Sequence, residues 1–306
     1  MQCLRLRLYR QCRQISATAI IHKQAVSGKI YIYCRIIGIM ITSCGRLLPH
    51  GSMLHSGRAA QPAPCGAGTL TACSAASVAS PIRVMCYGDS NTWGWMPVKS
   101  GSTTRYPADV RWTGQLQKEL GSHYQIIEEG LNGRTAGVDD YENSLDPQIS
   151  SSLNLNGEPS LLPILKSQAP LDIVVVMLGT NDVKPHLHQD LGKVTASLDR
   201  LVLDITRSTV ENQDWTKYKA PKVLVVAPVP VHPGQSQDMN TTFAGGYDLS
   251  AQLGAAYQKV AQKYGADFLD ASTVIPQADG LDGIHLSPAG HQKLSQAIAA
   301  KIKAMK

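Results

Sequence analysis

Five short apolar runs recur along the chain: Ile82–Tyr87, Tyr124–Glu128, Asp172–Leu178, Lys222–Ala227 and Ala266–Asp270. Three are rich in Val and Ile with little apolar–polar alternation, the pattern of parallel strands covered on both faces. Helical patterns lie between them. Trp112–Leu120 stops at Gly121, a residue suited to end a helix. Asp190–Arg207 places Leu191, Val194, Leu198, Leu201, Val202 and Ile205 on one face, and Tyr247–Tyr264 and Ser287–Met305 repeat that spacing. This alternation predicts a three-layer α/β/α sandwich around a central, mostly parallel five-stranded sheet, flavodoxin-like in rhythm, over residues 81–306. Glu142–Pro163 and Val229–Gly246 fit neither period. Both are rich in turn-forming residues and read as long loops, of the kind that form lids or pocket walls.

Residues 1–80 follow no such rhythm. They hold nine Lys or Arg and no Asp or Glu, leaving 20 basic against 23 acidic residues beyond them. The net charge of +6 therefore belongs to this extension, and the rest offers no basic surface for nucleic acid. Its apolar run Ile30–Thr42 is too short, and too interrupted by Arg35, to span a membrane. Three readings stay open for it: a targeting segment, an export signal starting at Met53 with a lipoprotein-like box Leu70–Cys73, or an extension absent from the working protein. The last is favoured, with a cytoplasmic site of action and export as the alternative. Six of the seven cysteines also lie here, without metal-ligand spacing, and Cys86 reads as a buried apolar residue.

Candidate chemistry gathers where strands end. Gly88-Asp89-Ser90-Asn91-Thr92 breaks the first run, and Ser90 fits either a nucleophile or a cap of the next turn. A serine hydroxyl needs a base, and the base needs an orienting partner. Asp282-Gly-Ile-His285, before the last helix, can supply both, since a four-residue turn brings a carboxylate to Nδ1 and leaves Nε2 free. Gly179-Thr180-Asn181-Asp182 ends the central run, so Asn181 could donate to a developing oxyanion or simply support a turn. Glu129-Gly-Leu-Asn-Gly133-Arg-Thr ends the second run with glycines that free a backbone N–H, a donor to set beside that of Ser90. Each motif alone is weak. All four leave carboxyl ends of strands, where an open α/β sheet collects its ligands, and together they form an acyl-transfer set.

In order, Gly88-Asp89-Ser90, Gly133, Gly179-Thr180-Asn181-Asp182 and Asp282-x-x-His285 resemble the four blocks of the SGNH (GDSL-type) hydrolase family over residues 82–304. The wording around them is similar to the bacterial arylesterase and acetyl-esterase branch. The resemblance implies Ser90 as nucleophile, His285 as base, Asp282 as orienting acid, and an oxyanion hole of Ser90 N–H, Gly133 N–H and the Asn181 side chain. It implies a small ester as substrate, no cofactor, acyl transfer to alcohols or peroxide in some members, and oligomers in some. Asn91 stands where the name motif has Leu, which touches local packing only. Gly-x-Ser-x-Gly is missing, which disfavours an α/β-hydrolase, and no phosphate-binding glycine loop follows the first run.

Trp93 and Trp95 are candidates to line a substrate pocket, and crowding there would favour short acyl chains. Asp89 reads as a local acceptor, Asp182 and Lys184 as turn and rim residues, and His291 as non-catalytic. His186 and His188 beside Asp190 read as surface residues with no metal. A thioesterase or lysophospholipase of the same fold, or a silent carbohydrate-binding module, are the competing functions.

Overall fold

A computed structural model describes residues 3–10, 13–26, 29–43, 80–141, 154–208, 210–211 and 217–305. Met53 and Leu70–Cys73 lie outside them, as do residues 142–153 of the first long loop. The chain divides into two compact units, Met1–Ser74 and Ala75–Lys306. In the first, β1 (Cys3–Arg10), β2 (Arg13–Val26) and β3 (Lys29–Ser43) form an antiparallel sheet in that order, in a segment whose sequence suggested no element.

The second unit is built on five parallel strands: β4 (Ile82–Gly88), β5 (Tyr124–Gly130), β6 (Ile173–Met177), β9 (Lys222–Ala227) and β10 (Asp267–Asp270), in the order β10-β9-β6-β4-β5. Two-residue strands β7 (Val210–Glu211) and β8 (Lys217–Tyr218) pair off separately. Helices follow in chain order: α1 (Ser90–Trp93), α2 (Trp112–Leu120), α3 (Gly157–Gln168), α4 (Leu191–Arg207), α5 (Gln237–Phe243), α6 (Tyr247–Ser250), α7 (Leu253–Tyr264) and α8 (Pro288–Ala304).

The lack of alternation in the strands has a direct cause. In β4, Val84 and Cys86 face one layer while Met85 and Tyr87 face the other, and β6 repeats this with Ile173 and Val175 against Val174 and Val176. On one side pack Trp112 and Leu116 of α2 with Leu294, Ile298 and Ile302 of α8. On the other pack Leu165 of α3, Leu198 and Leu201 of α4, and Tyr257 and Val260 of α7. Each such side chain, buried in full, contributes about 1.5–3 kcal/mol, so neither face admits a polar residue without loss.

Two expectations need correction. The stretch read as a loop to Pro163 becomes helix α3 from Gly157, with Pro163 inside it. The helix expected over Tyr247–Tyr264 is interrupted at Ala251 and Gln252, giving α6 and α7. Both long loops are thus partly helical, and the second carries α5.

Candidate active site

Because β4 lies inside the sheet, its carboxyl end is flanked by the ends of β5 and β6; Gly88 sits level with Gly130 and Met177. The chain turns at once into α1. Asp89 caps this turn by accepting the Asn91 N–H at 2.9 Å, and Ser90 is its first residue. The turn sits so close to β5 that a Cβ on Gly130 would strike the backbone of Trp93. Glycine there is a condition of the geometry.

From the far end of the chain, the loop between β10 and α8 brings His285 to the same place. His285 Nε2 lies 2.9 Å from Ser90 Oγ, and its Nδ1 lies 2.7 Å from Asp282 Oδ2. The other carboxylate oxygen of Asp282 accepts the backbone N–H groups of Ile284 and His285 at 3.0 and 2.9 Å. Burial pushes the Asp282 carboxyl up, but the hydrogen bond and charge of His285 and these two N–H donors outweigh it and hold the group below its usual value. Asp282 is therefore ionised near neutral pH, facing the imidazole.

The β5 and β6 exit loops are joined beside this chain of hydrogen bonds. Asn181 Nδ2 donates to the Arg134 carbonyl at 3.1 Å, one residue past Gly133, whose φ is 80°. The Arg134 guanidinium donates to the carbonyls of Gly88, at 3.0 Å, and Glu129, while stacking on Tyr87. Among the described residues no acceptor meets the N–H of Ser90 or of Gly133, and Asn181 has a second amide hydrogen to give. The three candidate oxyanion donors are therefore available.

Several neighbours differ from their sequence reading. Asp182 is buried and accepts the Ala136 N–H at 2.8 and 2.9 Å; burial raises its carboxyl to about 6, with the Asp89 charge adding to this. Asp89, raised to about 6 by burial against the hydrogen bond from Asn91, is the local acceptor the sequence suggested. Lys184 is a buried ion-pair partner of Asp140 at 2.8 Å, not a rim residue, and His186 Nε2 meets the same carboxylate at 3.1 Å. These pairings, like the Arg134 clamp, left no signal beyond isolated polar residues in otherwise turn-like runs. Asn91 is also buried and reaches beyond its own turn, to the backbone on either side of His285.

Trp95 stacks on the His285 ring, with centroids 5.3 Å apart and planes 21° from parallel, and Trp93 lies 6.4 Å from Trp95. Of the predicted aromatic pair, Trp95 thus borders the candidate base, and Trp93 lies behind it. A surface depression of about 750 Å³ lies between His232–Gln235 and Ile275–Leu281, so the second long loop does form a pocket wall. Ser90 does not line it, and the hydrogen-bond geometry rather than the volume marks the candidate site. No described helix is long and apolar enough to cross a membrane.

Residues 86–293 match the model of the GDSL-like lipase/acylhydrolase family. In structure the chain is similar to a carbohydrate acetylesterase from Sinorhizobium meliloti, at 42% identity and a TM-score of 0.67, over 73% of this chain and 99% of that one. It is likewise similar to an aryl esterase from M. smegmatis, at 38% identity and a TM-score of 0.66, over 74% and 100%. An acetylxylan esterase from Xylanibacter ruminicola is 28% identical over 236 residues, which are 72% of this chain but span only 43% of that protein's length.

Proposed function

The chain belongs to the GDSL-like lipase/acylhydrolase family, and from that premise we propose that it is a serine esterase cleaving short-chain carboxylic esters, acetyl or aryl esters first. The observation that carries this reading is the unbroken run of hydrogen bonds from Ser90 through His285 to Asp282, assembled from residues 195 positions apart.

Ser90 Oγ attacks the ester carbonyl while its proton passes to His285 Nε2. Asp282 stabilises the imidazolium through Nδ1. The carbonyl oxygen takes the negative charge among the N–H groups of Ser90 and Gly133 and the Asn181 amide, fixed donors that need no reorganisation. Collapse breaks the C–O bond, and the leaving alcohol receives the proton from His285. Water then attacks the acyl-serine with His285 as base, releasing the acid and restoring Ser90. An alcohol in place of that water gives acyl transfer by the same steps.

The half-buried Trp95 stacked on His285 and the small opening at Ser90, 5% exposed, support a short acyl group. The acetyl and aryl esterase names of the relatives point the same way. The test is hydrolysis of p-nitrophenyl acetate and octanoate by wild type and Ser90→Ala. Acetate should turn over faster, and the variant should lose at least about a thousandfold in kcat together with labelling by a fluorophosphonate. Faster octanoate turnover would favour a lysophospholipase or thioesterase, and an unlabelled wild type would favour a silent module.

A further inference from the structure

We propose that Asn91 is a positioning residue for the base: its carboxamide clasps the backbone on both sides of His285 and so sets where the imidazole stands against Ser90. The inference rests on the reading of Ser90 and His285 as nucleophile and base.

Asn91 directly follows Ser90 in α1 and is 3% exposed. Its Nδ2 donates to the Ile284 carbonyl at 3.3 Å, and its Oδ1 accepts the Leu286 N–H at 3.1 Å. The backbone donor at 286 and the acceptor at 284 fix which way the amide faces. The loop's other bonds come from within it and from the loop after β9: Asp282 takes the N–H groups of Ile284 and His285, Gly280 N donates to the His285 carbonyl at 2.9 Å, and the N–H groups of His232 and Gln235 donate to the carbonyls of Gly283 at 3.0 Å and Leu281 at 2.7 Å. Those bonds shape the loop but do not refer it to the nucleophile. Asn91 does, because its Cα is one peptide away from that of Ser90. A hydrogen bond of 2.9 Å between Ser90 Oγ and His285 Nε2 tolerates little drift. Misplacement by about 1 Å can lower a rate a hundredfold.

The residue type matters. Leucine, which stands here in the motif that names the family, has nearly the same size but neither a donor nor an acceptor. In Asn91→Leu, the Ile284 carbonyl and Leu286 N–H would lose their partners, and the loop would be free to shift relative to α1. Asn91→Asp retains an acceptor for Leu286 but sets a carboxylate against the Ile284 carbonyl, so it should restore little.

The test combines rate, coupling and spectroscopy. On p-nitrophenyl acetate, Asn91→Leu should lower kcat ten- to a hundredfold with KM nearly unchanged, per active site counted by titration. In the His285→Ala background the same substitution should cost nothing further, because its effect runs through the imidazole. The strongly downfield NMR signal expected of His285 Nδ1–H in wild type should broaden or vanish in Asn91→Leu, a readout that needs no turnover. Wild-type kcat in the variant, an equal loss in the His285→Ala background, or an unchanged downfield proton in a folded Asn91→Leu protein would each overturn the proposal. Loss of esterase activity in wild type would fail the functional reading alone and leave the spectroscopic comparison to decide this one.

Discussion

At the scale of single residues, the site separates groups by what surrounds them. Asn181 illustrates a side chain kept partly employed: one amide hydrogen holds the Arg134 carbonyl, and the other is the donor proposed above for the oxyanion. Asn181→Ala should reduce kcat by about 10²–10³ with little change in KM, measured on p-nitrophenyl acetate. His291 shows the opposite economy. It is fully buried in α8, its Nδ1 accepts the Trp112 N–H at 3.2 Å, and burial pushes its pKa down to about 4, with the His285 charge adding and Asp279 opposing. An unfolded histidine titrates near 6.5, so between pH 6.5 and 4 the unfolded chain binds the extra proton and stability falls as the pH drops. The loss is about 2 kcal/mol at pH 5. Asp89 and Asp182, raised to about 6, have the reverse sign: the folded state takes their protons first and gains stability as the pH falls toward 4. The change in Tm from pH 7 to pH 5 should therefore be more favourable in His291→Asn than in wild type, in thermal unfolding monitored by circular dichroism. An equal change in both would mean that His291 does not contribute to the pH dependence. The site candidates that the sequence offered were those with a motif: Ser90, Gly133, Asn181, Asp282 and His285. Asn91 escaped because a polar residue in a turn looks sufficient in itself, and only the partner 195 positions away gives it a task.

At the scale of elements, the exit loops of β5 and β6 are held by charge as well as by Asn181. Lys184 Nζ meets Asp140 with both groups almost fully buried. Burial alone would raise the Asp140 carboxyl, yet the hydrogen bond and charge of Lys184 hold it low, with His186 contributing. Taking away Lys184 leaves the buried Asp140 carboxylate without its closest cation, with His186 Nε2 still at 3.1 Å, so Lys184→Met should destabilise at the lower end of about 3–5 kcal/mol, read as a lower denaturant midpoint. The double variant Lys184→Met with Asp140→Leu should recover most of that. Helix α3 shows why elements were only partly legible. Its Gly157, Pro159 and Pro163 argue against a helix, but the Asn156 side chain caps it through Glu158 N at 3.0 Å and Leu161 and Leu165 seat one turn apart in the core. Packing overrode local preference there. By contrast α4 was visible at once, since its apolar face repeats over seventeen residues between the Asp190 cap and Arg207.

At the scale of the molecule, the described residues of both apolar clusters belong to the unit Ala75–Lys306. A chain beginning at Ala75 should keep its Tm and its kcat on p-nitrophenyl acetate; a large fall in either would give the first 74 residues a part in folding or catalysis. The sheet was legible because strands buried on both faces write themselves as uninterrupted Val and Ile, whereas residues 1–80 carry no comparable record of burial.

The proposed nucleophile directly follows the first strand of its sheet, and the proposed base stands just ahead of helix α8. During translation the ribosome must release the chain past residue 285 before the two can meet. On the proposed mechanism a nascent chain carrying Ser90 would stay chemically silent, and premature termination anywhere upstream of His285 would leave it so. Ester cleavage in a cell-free translation mixture would accordingly count chains that include His285 and ignore shorter fragments.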